Sequence, residues 1–241
     1  VDWRVSPTPN DWLDVEKVVK KVFAAADWQK LGELYFHEDG EQLWQDRRKL
    51  VVELGGQLAR RLERFVKPEG TSLWVGAGVA ELPIMIAEVL LLQRSAVAAN
   101  LREEECDLLN EALAKGAPQV ALHYEAGDAR EVAGDQAFDH LGCISVFTDP
   151  DIWPTLSGVA YGRLPPVQLD LEQFAAERED ARELARGLYQ LLDRDACITT
   201  SAEEVSWFLD LAAAEGREID ASDELIETAV VGDPVGFLQL R

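Results

Sequence analysis

Two glycines hold the position from which this sequence is best placed to do chemistry. In the run TSLWVGAGVAELPIMIAEVLLL, from Thr71 to Leu92, Gly76 and Gly78 separate a short apolar stretch from a longer helix-like one. Glycines there let the chain turn back sharply and bring bare backbone N–H groups up to a ligand, which a Cβ would obstruct. A turn of this kind is an anion site at a helix N-terminus, suited to a nucleotide-like or carboxylate-bearing cofactor. It serves equally as a β–α turn that needs glycine for its conformation alone. The pattern is GxGxA, with Ala80 where a dinucleotide fingerprint has its third glycine, which favours a looser relative of the Rossmann turn over an NAD site.

Few other residue groupings carry chemistry. His37, His123 and His140 are isolated, and no His/Cys/Asp cluster has metal-ligand spacing, so no metal is expected. Cys106, Cys143 and Cys197 are odd in number and far apart, which points to a reducing, cytoplasmic setting without disulfides. Asp and Glu total 45 against 23 Lys and Arg, an excess of 22 acids that repels a phosphate backbone and leads to the expectation of no nucleic-acid partner. No apolar run reaches membrane-spanning length and no signal-like segment opens the chain, so no membrane is expected either.

The elements that must position the glycine turn follow from periodicity. Asn10 is a possible cap for a helix with Val15, Val18, Val19, Val22 and Phe23 on one face, and a short helix runs from Trp28 to Phe36. A long third helix carries Leu50, Val51, Leu54, Leu58, Leu62 and Phe65, with Gly55 and Gly56 marking a kink or a close approach of another backbone. From Thr71 the pattern alternates strand and helix, which argues for a parallel α/β sheet. Strands are expected at Leu73–Val75, Ala96–Asn100, Val120–Glu125, His140–Phe147 and Ala196–Thr200. A loop covers Thr148–Leu169, and a β-hairpin turning at Gly232–Pro234 closes the chain. The expected organisation is a helical extension over residues 1–67 and an α/β core over 68–241.

This order resembles the class I S-adenosylmethionine-dependent methyltransferases, with a Rossmann-like, mostly parallel sheet and an antiparallel C-terminal hairpin. The resemblance covers about Pro68 to Arg241. It implies that Gly76, Ala77 and Gly78 face the methionine end of S-adenosyl-L-methionine, and that Asn100, with Leu101, lies where the family holds the ribose. Asp128 and Ala129 of the GDAR stretch would then read the adenine, and Ser145 would border the transferring methyl at the end of the fourth strand. Asp149 is the candidate base or acceptor-binding group, with Asp151 nearby. Asn100 has a second reading as a helix cap ahead of Glu103, and Asp128 as a turn residue ahead of Arg130. Trp74 stands where the family commonly has an acid. The resemblance thus implies methyl transfer to a small molecule or protein; a lapsed binding module and another nucleotide-dependent α/β enzyme remain as alternatives.

Overall fold

The computed structural model describes residues 7–36, 40–229 and 232–241. Three helices come first, α1 (Pro9–Ala25), α2 (Trp28–Phe36) and α3 (Gly40–Leu62). The cap of α1 is Thr8, not Asn10: its side chain accepts the Asp11 N–H while the Asp11 carboxylate accepts the Thr8 N–H, and Pro9 sits at the first position, where its missing N–H costs nothing. Gly55 lies in uninterrupted helix, and a Cβ on it would stand 2.7 Å from Pro83 Cβ, so the glycine permits a close approach to the next helix. His37 lies outside the described residues.

The alternating part comprises β1 (Thr71–Val75), α4 (Leu82–Leu91), β2 (Ser95–Asn100), α5 (Glu103–Gly116), β3 (His123–Ala126), α6 (Ala129–Ala133) and β4 (Phe138–Cys143). It continues with α7 (Pro154–Ala160), α8 (Leu171–Gln190), β5 (Leu192–Ser201), α9 (Val205–Ala214), β6 (Ile219–Ala221), β7 (Ile226–Glu227) and β8 (Pro234–Leu240). The sheet order is β3-β2-β1-β4-β5-β8-β6, with β7 on β8. The first five strands are parallel, and β8 is antiparallel to both β5 and β6. The last strand is therefore interior to the sheet, not at its edge.

Period-two alternation feeds two cores. Along β1, Leu73 and Val75 join the cluster under α6, α8 and α9, whereas Trp74 joins the cluster under α1 to α5. Burial on both faces explains why this strand carries no charge. Trp74 is 1% exposed; its indole N–H donates to Glu88 at 2.7 Å, and Gly142 opposite it has no Cβ to overlap the ring. Glu88 lies in a buried set with Ser72, Arg94 and His140. Burial alone would push its carboxyl up, but the His140 and Arg94 partners outweigh that and hold it low.

Two boundaries differ from expectation. Strand β4 stops at Cys143 because Ser145 adopts φ +55° and gives its N–H to Ser201 Oγ, leaving the ladder. The stretch Val120–Leu122 is spent on a turn, with Val120 N–H bonded to Ala117 O, so β3 begins only at His123. The segment expected as a loop, Thr148–Leu169, contains α7, which Pro154 opens at its first position.

Candidate functional site

A cavity of about 410 Å³ opens at the carboxyl ends of β1 to β4, the position an open α/β sheet reserves for ligands. Seven of the nine residues singled out above line it: Gly76, Asn100, Leu101, Asp128, Ala129, Ser145 and Asp149. Ala77 and Gly78 do not.

Each loop contributes by its own local chemistry. After β1, Gly76 takes φ +62°, which a glycine adopts without strain, and presents its backbone to the cavity. The chain then turns inward. Gly78 gives its N–H to Glu81 Oε2 at 2.9 Å and receives the Tyr124 hydroxyl at 3.1 Å on its carbonyl. A side chain at Gly78 would collide with the Tyr35 hydroxyl of α2 and the Glu105 carboxylate of α5, which bond to each other. Burial pushes Glu105 up to about 7, the Tyr35 hydrogen bond and the Arg102 charge opposing it in part.

After β2, Asn100 is 4% exposed and heavily engaged. Its amide donates to Ala77 O at 2.9 Å and to Glu105 at 3.1 Å, and its carbonyl oxygen accepts the Arg102 N–H at 2.9 Å. Asn100 thus ties the glycine turn to the start of α5, whose N-cap is Arg102. Leu101 beside it is 60% exposed and offers an apolar wall. After β3, Asp128 caps α6 through the Arg130 N–H at 2.8 Å and pairs with the Arg130 guanidinium at 2.5 Å. That hydrogen bonding holds its carboxyl below the ordinary value.

After β4, Ser145 donates its hydroxyl to Asp233 Oδ2 at 2.6 Å, and the Tyr161 hydroxyl donates to the same oxygen at 2.5 Å. Asp149 accepts from Arg102 at 3.1 Å and Asp151 at 2.8 Å, so one arginine ties the loop after β2 to the loop after β4 beside the cavity. Arg102, Arg130 and Asp233 were not singled out by sequence reasoning. Arg130 meets Asp128 of its own loop, whereas Asp233 looked like a hairpin-turn residue and nothing local to it or to Arg102 shows which loop it meets. Helix α8 adds Asp180 and Glu183, so the walls carry five carboxylates (Asp128, Asp149, Asp151, Asp180, Glu183) against two guanidiniums (Arg102, Arg130). Among the described residues no group of three His, Cys, Asp or Glu side chains is placed to hold a metal.

The sequence matches no family model and no curated protein. Solved structures do resemble the chain. NSun6 from Pyrococcus horikoshii, solved with SFG, aligns at TM-score 0.51 and 14% identity over 80% of this chain and 51% of that one. The M1A22 tRNA methyltransferase TrmK of B. subtilis aligns at TM-score 0.50 and 10% identity over 76% of this chain and 64% of that one. The fold is class I methyltransferase-like. A precorrin-6y C5,15-methyltransferase from Geobacter metallireducens aligns at TM-score 0.46 and 10% identity over 81% and 87% of the two chains. The chain spans about half of NSun6 and just under two-thirds of TrmK.

TrmK's presence among these structures corrects one expectation: the charge excess of the whole chain does not exclude nucleic acid, because a tRNA methyltransferase has this fold. Net charge sums over the entire surface, whereas binding depends on the field where the ligand lies. Among the described residues no helix is long and apolar enough to cross a membrane.

Proposed function

We propose that the chain is an S-adenosylmethionine-dependent methyltransferase whose cofactor lies in the cavity at the ends of β1 to β4. The observation that carries this reading is the convergence of Gly76, Asn100, Leu101, Asp128, Ser145 and Asp149 from four separate loops on one space of about 410 Å³. A space of that size suits a nucleoside with a short tail, and walls with an excess of carboxylates suit a cation. The group would supply a methyl on a positively charged sulfur, ready for in-line displacement.

The chain's own residues would bind, orient and exclude water. Leu101 and Ala129 would pack on the base. Asp128 and Arg130 would meet its polar edge, and the free lone pair of Asn100 Oδ1 would accept from the sugar. Asp149 and Ser145 would border the end where an acceptor atom would sit; the Ser145 hydroxyl is bonded to Asp233. Calorimetry with S-adenosylmethionine and NAD tests cofactor choice: heat from the first alone supports the reading, and heat from NAD alone overturns it. Transfer of a labelled methyl to tRNA, protein extract or small-molecule pools then defines the acceptor class.

A second reading, a binding module with lapsed catalysis, is favoured by two observations. Trp74 occupies the place of an acid and is spent on the core, and the Gly78 N–H is bonded internally. Cofactor binding without transfer to any pool is the result that selects it.

A further inference from the structure

The cavity touches the glycine turn at Gly76 alone. Protein groups close the rest. Glu81 caps the Gly78 N–H at 2.9 Å, the donor a ligand carboxylate would seek, and so sets a carboxyl group of its own at the turn; burial pushes that group up, and the Gly78 N–H opposes the rise in part. Tyr35 and Glu105 fill the side that a Gly78 side chain would occupy. On the other side, only about 10 Å³ of space lies between Glu81, Ile144 and Leu54 and Leu58 of α3. Ile144 is also a wall of the large cavity, so the small space lined by Glu81 and the large cavity share that side chain. Both cavity arginines already face carboxylates, Arg102 those of Asp149 and Asp151 and Arg130 that of Asp128.

A ligand carboxylate entering this space therefore finds the Gly78 N–H already taken by Glu81, whose carboxyl group adds to the five carboxylates of the walls. We propose that the cavity selects adenosines whose 5′ substituent is neutral or cationic, and that Glu81 is the residue that denies the site an α-carboxylate. This rests on the reading that the cavity holds the adenosine end of S-adenosylmethionine. Affinity comes from the base, the sugar and the sulfonium charge, and the amino-acid carboxylate of the cofactor is a spectator or a penalty.

Calorimetry on the full chain with S-adenosylmethionine, S-adenosylhomocysteine, 5′-methylthioadenosine and adenosine tests this without turnover. 5′-Methylthioadenosine, which lacks the carboxylate, binds within about threefold of S-adenosylhomocysteine or more tightly. In Glu81→Gln, which keeps an acceptor for the Gly78 N–H but cannot ionise, S-adenosylhomocysteine gains roughly tenfold relative to 5′-methylthioadenosine, as expected when a like charge is removed from the turn. The proposal is overturned by S-adenosylhomocysteine binding the wild type roughly tenfold or more tightly than 5′-methylthioadenosine, or by an unchanged ratio in a variant that melts like the wild type. If the variant does not fold, the wild-type ratio decides. No heat from any of the four compounds overturns both the proposal and the functional reading beneath it, whereas preference for the carboxylate form overturns the proposal alone.

Discussion

Glu105→Gln should change how stability depends on pH far more than it changes the fold. Glu105 is fully buried between the Tyr35 hydroxyl and the Asn100 amide, and burial raises its carboxyl from 4.5 to about 7. The native state therefore holds this proton more tightly than the unfolded chain does. The resulting stabilisation is full below about pH 4.5 and is lost as pH rises through 7. The separation between 4.5 and 7 corresponds to about 3 kcal/mol. Glutamine keeps the shape and cannot ionise. Urea unfolding of both proteins from pH 4.5 to 8.5 gives two curves, and only their difference matters, because Glu204, raised by burial to about 8, contributes to both alike. That difference should move by about 3 kcal/mol in favour of the variant over the range. Parallel curves would refute the reasoning, since they would mean that the carboxylate ionises as though hydrated and that the Tyr35–Glu105–Asn100 contact is open to water.

Three further perturbations follow from single contacts. Gly142→Ala places a methyl against the Trp74 ring, and overpacking of that kind should cost about 1–3 kcal/mol in a denaturant melt; an unchanged midpoint would show that Trp74 can move aside. Asn100→Asp sets a carboxylate against Ala77 O and Glu105, so it should lower stability by about 1–3 kcal/mol near neutral pH and less at pH 5, read by the same melt. Removing residues 234–241 deletes the strand between β5 and β6, and the truncated chain should show no cooperative unfolding by circular dichroism.

The architecture was legible because its signals are local. Leu73–Val75 reads as a strand buried on both faces and the glycines after it as a turn, and the helix over Trp28–Phe36 was read to its observed bounds. Ends were less legible where a distant partner sets them. Strand β4 stops short because Ser201, 56 residues on, takes the Ser145 N–H, and β6 was missed because three residues carry too little period to register. Gly76, Asn100, Leu101, Asp128, Ala129, Ser145 and Asp149 line one cavity because parallel strands end on the same side of the sheet; the parallel alternation was in the pattern, whereas the spatial order β3-β2-β1-β4 was not.

Side-chain commitments were not in the pattern. Composition and periodicity state which groups a chain possesses and which face of an element they occupy. They do not state what those groups already hold. Gly78 reads as an open anion donor until Glu81 is seen on its N–H, and as space for a ligand until Tyr35, 43 residues earlier in the chain, is seen beside it. Asp233 reads as a turn residue until Ser145 and Tyr161 are found on one of its oxygens. Hydrogen bonds and burial act through space over a few ångströms, so which donor meets which acceptor is decided only when the sheet closes and the loops of distant segments come into register.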